Sequence, residues 1–268
     1  MKDYKQQYYE QATTWYVNNF QRSAEIQRIE EVIRSIPTGA KTLLDVGCGK
    51  GVFVNELINN PSCKFSVVVG LDTSKEALKY VKVDKFCGTI ATLPFKNESF
   101  DIVSCLELLE HLPSDDFKKG ICELERISRK YLIVTVPNGQ NLELALIACP
   151  KCRCRFNPYL HVRSFNRNTL RTLFASSTPL RIVDIGPIVH SLGPILHRTY
   201  RLFKNNNSYA TICPQCGYRI KQYVQNRNAS VHKDNILSHM TFLCRKTMKI
   251  MITSKKRKWL LALYRKNE

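Results

Sequence analysis

The chain is predicted to fold as an open α/β sheet with mainly parallel strands, and three features predict it. Apolar runs of strand length alternate with stretches whose apolar residues repeat at helical spacing, the pattern of strands joined by crossover helices. The first run, Thr42 to Val46, breaks into Gly47-Cys48-Gly49-Lys50-Gly51, with glycine at every second position. The second run, Phe65 to Leu71, ends on Asp72, 21 residues beyond Gly51.

In chain order, Tyr4 to Ile36 reads as helix: Ile26, Ile29, Val32, Ile33 and Ile36 form one stripe, and Pro37-Thr38-Gly39 stops it. Its first part is aromatic, with Tyr8, Tyr9, Trp15, Tyr16 and Phe20 placed to close over a ligand or to pack on the sheet. After the glycine loop, Val52 to Asn59 reads as a helix ended by Pro61. Apolar runs follow at Val83 to Cys87, Phe100 to Leu106 and Tyr131 to Val136. Ser114 to Ser128 reads as a helix with Ser114 as N-cap, Asp115 and Asp116 in the first turn, and Phe117, Ile121, Leu124 and Ile127 buried. Leu180 to Ile185 gives a sixth strand and Trp259 to Tyr264 a seventh.

The glycine loop lets backbone approach a ligand closely. The carboxylate of Asp72 at a strand tip suits the two hydroxyls of a ribose. A dinucleotide fingerprint would need its third glycine where Val52 stands, so the tighter G-x-G-x-G form favours a compact nucleoside without a pyrophosphate. At these residues the chain resembles the class I S-adenosylmethionine-dependent methyltransferases of the type 11/12 kind. The resemblance continues through Leu93-Pro94-Phe95, Ser99-Phe100-Asp101-Ile102-Val103 and Glu107-Leu108-Leu109-Glu110-His111-Leu112-Pro113, and covers roughly residues 40 to 137.

It implies a Rossmann-like, seven-stranded sheet whose last strand is antiparallel and slots between the fifth and sixth. It also implies that S-adenosylmethionine is the cofactor. Asp45, Gly47 and Gly49, with Cys48 and Gly51 in the same loop, would line its methionine end; Asp72 would hold the ribose; Leu71 and Thr73 would flank the sugar and adenine. The family usually has Gly-Asp-Ala before Leu-Pro-Phe, with the Asp bonding the adenine amine, whereas this chain has Gly88-Thr89-Ile90. Thr89 is a weaker, neutral partner, and a backbone contact near Ile90 survives the change. Leu71 and Ile90 also suit plain core positions.

Of eleven cysteines, Cys48, Cys63, Cys87, Cys105 and Cys122 fall in apolar or loop segments where a free thiol packs as a small hydrophobe. The other six lie at 149 or later. Cys149-Pro150-Lys151-Cys152 and Cys213-Pro214-Gln215-Cys216-Gly217 are two knuckles of the kind that wrap zinc, since four thiolates complete a tetrahedron. Cys154 or Cys244 offers an alternative ligand, and independent buried or redox cysteines are the competing reading. The knuckles are 60 residues apart. The expected organisation is therefore a cap over 1–40, a catalytic domain over 41–148, 160–190 and 250–268, and basic insertions over 149–159 and 191–249 forming a zinc-knuckle lid at the carboxyl edge of the sheet.

The net charge of +19 is unevenly spread. Residues 1–150 carry 18 basic and 19 acidic side chains, and residues 151–268 carry 23 and 3. This asymmetry suits an anionic acceptor, RNA or a membrane surface, or else a solvated basic face. Met1-Lys2-Asp3-Tyr4-Lys5-Gln6 lacks the apolar stretch of a secretion signal, and no apolar run approaches the ~20 residues needed to span a bilayer. A cytoplasmic protein is expected. Ser254-Lys255-Lys256-Arg257-Lys258 is expected to be a solvated hairpin edge.

Methyl transfer from a sulfonium is an in-line displacement governed by positioning, and an oxygen or carbon acceptor also needs a base. The candidates are His161 in His161-Val162-Arg163-Ser164-Phe165, His111, and Glu107 near the tip of the fourth strand. Resemblance favours His161, through the similar His-x-x-x-Phe segment of many small-molecule methyltransferases. Arg163 would orient an anionic acceptor. His111 and Glu110 also suit a role in bracing the next helix. A small-molecule, lipid-linked or glycan-type acceptor is the first expectation. RNA is the alternative, supported by the knuckles and the basic second half, and a non-catalytic zinc-containing scaffold is the third.

Overall fold

The computed structural model describes residues 19–192, 211–220 and 252–267. The aromatic segment before Asn19, the tract Asn205-Asn206-Asn207 and Cys244 lie outside them. The chain begins with α1 (Asn19–Arg34) and continues β1 (Thr42–Val46), α2 (Val52–Asn59), β2 (Val67–Asp72), α3 (Lys75–Leu78), β3 (Asp84–Cys87) and β4 (Phe100–Leu106). A 3-10 turn (Leu109–His111) leads to α4 (Ser114–Ile127) and β5 (Ser128–Pro137). Then come β6 (Ile147–Ala148), β7 (Arg155–Phe156), α5 (Arg167–Arg171), β8 (Ser177–Leu192), β9 (Thr211–Ile212), β10 (Arg219–Ile220) and β11 (Ile252–Lys266).

Seven strands form one sheet in the order β3-β2-β1-β4-β5-β11-β8. The strands from β3 to β5 pair in parallel, and β11 is antiparallel to both neighbours. The antiparallel last strand therefore sits between the fifth and sixth long strands, as expected. Alternate residues of each central strand enter opposite cores because side chains on a strand have period two. Leu44, Val103, Leu260 and Ala262 join Leu124 of α4 and Leu170 of α5. Leu43, Ile102, Leu261 and Leu263 join Ala24, Ile29 and Val32 of α1 and Phe53, Val54 and Leu57 of α2. Burying a leucine fully in either layer contributes roughly 2 kcal/mol.

β1, α2 and β4 have the expected boundaries, while β2, β3 and β5 shift by one to three residues. Ser114 is not a cap: it is the first helical residue of α4, and the cap position belongs to Pro113, whose carbonyl accepts the Phe117 N–H at 2.8 Å. The fixed φ of proline sets this helix entry without a side-chain cap.

The basic run before Trp259 lies at the edge of a hairpin ribbon, as expected, with Arg257 exposed and Lys256 and Lys258 half-buried. It is part of β11, which pairs with β8 from Ile252 to Lys266, whereas the pairing with β5 stops at Trp259 opposite Pro137. The β8–β11 ribbon thus runs beyond the carboxyl edge of the sheet. The Lys256 ammonium donates to the Gly139 carbonyl at 2.7 Å, and Arg257 donates to the Gly186 carbonyl at 2.7 Å.

Candidate functional site

The carboxyl edge of β1, β2 and β4 carries a cradle. Gly47, Gly49 and Gly51 all have positive φ, at 78°, 53° and 73°. The Gly47 and Cys48 N–H groups donate to the Leu71 carbonyl at 2.7 and 3.0 Å, folding the loop back over β2. The positive φ of Gly47 favours glycine, and a Cβ there would lie 2.7 Å from the Cδ2 end of the Leu108 side chain, which would have to shift. The Cys48 side chain is buried, its sulfur 2.9 Å from where a Cβ on Gly70 would lie, and its thiol donates to the Gly49 carbonyl at 3.8 Å.

Asp72 ends β2, and its carboxylate accepts the Gly49 N–H and the Ser74 N–H, each at 2.8 Å. Each carboxylate oxygen has a second lone pair, so an aligned pair of ribose hydroxyls can still bond there. Asp45, buried in β1, accepts the Ser104 hydroxyl at 2.7 Å, and burial pushes its carboxyl up to about 7. Thr89 is exposed, with its hydroxyl accepting the Ala91 N–H at 3.3 Å. The Leu71 and Ile90 side chains lie in the core, and Thr73 follows Asp72 at the rim with its carbonyl facing the Cys87 thiol. This glycine cradle beside a strand-tip carboxylate fits a nucleoside cofactor with a charged amino-acid end.

A second group lies at the carboxyl ends of β4 and β5. Glu107 takes a left-handed φ of 56° just past β4, and its N–H donates to the Thr135 carbonyl at 2.9 Å. The Glu110 carbonyl accepts the Val162 and Arg163 N–H groups at 2.8 and 3.2 Å, which brings the segment after β7 against the 3-10 turn. The rings of His111 and His161 meet edge to face, 4.6 Å apart, and the His161 Nδ1 lies 2.5 Å from the Gln140 Oε1. Ligand atoms of Glu110, His111 and His161 all lie within 4.8 Å of one another. Glu110 is 1% exposed, and neither of its carboxylate oxygens has a hydrogen-bond partner. One Glu107 oxygen is likewise buried without a partner.

Burial dominates the electrostatics of this group. It raises Glu107 and Glu110, the latter further through the charge of Glu107. It lowers His111 to about 3, helped by His161, and His161 to about 4, helped by the Lys258 charge. Both imidazoles are therefore neutral at pH 7. Arg163 stacks 3.9 Å from the Phe117 ring centre, with its Nε buried and unpartnered.

The group includes residues that the motifs did not single out. Arg28 of α1 is buried, donates to the Thr135 hydroxyl at 3.1 Å and opposes the upward shift of Glu107. Its signal was legible as a lone cation between Ala24 and Val32 on the apolar stripe of α1. Lys258 and Trp259, 4.2 Å from ammonium to ring centre, come from β11 and needed the sheet order to be placed.

The two cysteine knuckles also meet. Cys149 and Cys216 are 3.7 Å apart and Cys152 and Cys213 3.5 Å apart, sulfur to sulfur, and the four sulfurs lie within 4.8 Å of one another. A tetrahedral zinc with bonds of 2.3 Å needs an edge of about 3.8 Å, so the spacing fits a metal and not a disulfide. The knuckles have matching backbones. Arg153 and Gly217, each four residues beyond a first cysteine, have positive φ and donate N–H to the Cys149 and Cys213 carbonyls at 2.9 and 3.0 Å. Cys154 lies outside the set of four, its thiol facing the Arg155 carbonyl.

The sheet order and the cradle define a Rossmann-like, nucleoside-binding α/β protein. Residues 44–133 match the family model described as a methyltransferase domain. The chain is 30% identical over 172 residues to a ubiquinone biosynthesis O-methyltransferase of Coxiella burnetii, covering 59% of this chain and 71% of that protein. It is also 30% identical over 132 residues to the small RNA 2'-O-methyltransferase of Arabidopsis thaliana, covering 42% of this chain but 14% of that larger protein. Among solved structures, a complex between the Haloferax volcanii Trm112 methyltransferase activator and a methyltransferase aligns with a TM-score of 0.58, 12% identity and full coverage of both chains. The chain belongs to the class I S-adenosylmethionine-dependent methyltransferases.

Proposed function

We propose that this methyltransferase methylates a hydroxyl oxygen of a small anionic acceptor, and that Glu107, Glu110, His111 and His161 hold a divalent cation beside that oxygen. The observation that carries this reading is the fully buried Glu110 carboxylate with no hydrogen-bond partner, within 4.8 Å of two neutral imidazoles. Burial and the Glu107 charge favour a proton on Glu110, and the carboxylate form, costly when buried without partners, becomes favourable when a cation displaces that proton. The cation would supply charge that lowers the pKa of the acceptor hydroxyl and fixes its oxygen. An oxygen acceptor is thereby favoured over carbon, and His161, held by Gln140, serves as ligand in preference to a lone general base.

On the cofactor side, Asp72 bonds the ribose, while Gly47, Cys48, Gly49 and Gly51 offer backbone to the methionine end. Leu71, Thr73, Thr89 and Ile90 flank the sugar and adenine. Asp45 stands behind the loop as a carboxylate that ionises when the cationic end of S-adenosylmethionine arrives. Arg163, with its unpartnered Nε, faces the acceptor's anionic group. The four cysteines Cys149, Cys152, Cys213 and Cys216 hold a structural zinc, and the knuckles form a lid over the acceptor entrance. The free thiols of the described cysteines suit a cytoplasmic setting.

RNA is the second reading. Lys151, Arg153, Arg155 and Arg219 are exposed on the knuckles beside the exposed Tyr159 and Tyr218, a basic and aromatic surface suited to a ribose-phosphate chain.

The test uses protein freed of divalent ions other than zinc, with Mn2+ binding followed by electron paramagnetic resonance. Labelled methyl transfer is then assayed on a panel of anionic phenols and polyols and on single-stranded RNA. One Mn2+ per chain, lost in Glu110→Gln, with transfer that depends on added Mg2+ or Mn2+, is expected. Transfer at full rate without added ions refutes the cation, and label on RNA alone selects the second acceptor.

A further inference from the structure

The thiolate centre and the candidate acceptor group are joined by one short segment. Cys149, Phe156, Leu160 and Cys213 form a small apolar core of their own, with Ile147 and Ile220 packed against it. Leu160 is buried in that core at a left-handed φ of 58°, and its N–H donates to the Asn157 carbonyl at 2.9 Å. The next residue is His161, whose ring lies on the other side of the segment against His111 and Gln140. His161 belongs to no helix or strand: β7 ends at Phe156 and α5 starts at Arg167. One face of the segment is therefore knuckle core and the other is acceptor site.

The second knuckle belongs to the insertion between β8 and β11, far from Cys149 in sequence. The two hairpins β6–β7 and β9–β10 have two residues per strand, and pieces this small do not hold together by backbone pairing alone. In such modules the free energy of metal binding is the free energy of folding.

We propose that metal held by Cys149, Cys152, Cys213 and Cys216 positions His161, so that emptying the thiolate centre withdraws this histidine from the acceptor site while leaving the cofactor cradle intact. The proposal rests on the metal assigned to the thiolates above and not on the acceptor or the second cation. The cradle is built from β1, β2 and α2 and shares no residue with the knuckles. The rim of the acceptor site is instead carried on the knuckle core through the Leu160–His161 peptide.

The test measures zinc content, S-adenosylmethionine affinity by calorimetry and the rate of His161 carbethoxylation by diethyl pyrocarbonate, read by mass spectrometry. It is applied to the wild type, the double variant Cys213→Ala/Cys216→Ala and the single variant Cys216→His. The wild type should hold one zinc per chain with His161 protected. The double variant should lose the zinc, keep its cofactor Kd within about twofold, and expose His161 to modification at least tenfold faster. Cys216→His, which preserves a three-cysteine, one-histidine site, should restore both zinc and protection. Unchanged protection in the zinc-free variant overturns the proposal, as does a matching collapse of cofactor binding, which would signal general unfolding. A wild type without zinc overturns the metal assignment itself.

Discussion

Asp45→Asn should stabilise the ligand-free protein, and by more at high pH. Asp45 is 2% exposed, and the Ser104 hydroxyl donates to it at 2.7 Å. Burial raises its carboxyl from 3.8 to about 7, against the opposing Ser104 bond and Arg28 charge. The folded state therefore holds the proton more tightly than the unfolded chain. That contribution is fully present below pH 3.8 and is lost as pH rises to about 7. At 1.36 kcal/mol per pKa unit, the loss is about 1.5 kcal/mol at pH 5 and about 4 kcal/mol at pH 8. Asparagine preserves the size and can accept the same Ser104 bond without charge. The advantage of the variant over the wild type should thus grow by about 2.5 kcal/mol between pH 5 and pH 8. Urea unfolding of both proteins at the two pH values measures it, since effects shared by the pair cancel. An advantage that is the same at both pH values, or a variant less stable at pH 8, refutes the assignment of a buried, proton-holding Asp45.

The same carboxyl links pH to cofactor binding: affinity for S-adenosylmethionine should rise up to about tenfold from pH 6 to pH 8. Calorimetry in buffers of different ionisation enthalpy should show proton release on binding, absent in Asp45→Asn. On the proposed ribose contact, Asp72→Ala removes two charge-assisted bonds, at about 1.5–3 kcal/mol each, together with the acceptor of the Gly49 and Ser74 N–H groups. It should weaken the cofactor at least a hundredfold by calorimetry, and the lost acceptor for the Gly49 and Ser74 N–H groups should lower stability by about 1–3 kcal/mol in urea unfolding. Gly186→Ala should destabilise by about 2–4 kcal/mol in urea unfolding, because the residue has φ 77° and its Cβ would lie 2.4 Å from the Trp259 ring. An alanine variant within 0.5 kcal/mol of wild type, roughly the scatter of neutral surface changes, would show that the β8–β11 ribbon moves to accept it.

The glycine loop and its strand-tip acid were legible because their information is local. A buried strand, three glycines at alternate positions and an acid at the next strand tip each follow from backbone sterics and burial within a few residues. The structure places Gly47, Gly49 and Asp72 around one hydrogen-bonded loop accordingly. Thr42–Val46, Val52–Asn59 and Phe100–Leu106 kept their predicted limits for the same reason. The knuckles were legible as matching pairs, since the turn that brings two thiols together is itself a local structure.

Other features depend on residues that only the fold brings together. Ser114 reads as a cap by composition, yet the proline before it sets the helix entry. Lys256 and Lys258 read as solvated, yet a long β8 recruits them into β11 and leaves them half-buried, while Arg257 stays exposed. Arg28, Glu107, Thr135 and Lys258 come from separate stretches of chain, and the shifts of Glu107 and Lys258 are set by shared burial and mutual charge, which no single segment encodes. By itself the sequence determined a parallel α/β sheet with a glycine cradle and two thiolate knuckles, because each is specified by periodicity or spacing along one stretch of chain. Tertiary structure alone decided that Glu110 lies without a hydrogen-bond partner beside two imidazoles, and that the four-cysteine cluster packs on Leu160, the neighbour of His161, because distance and desolvation are properties of the packed chain.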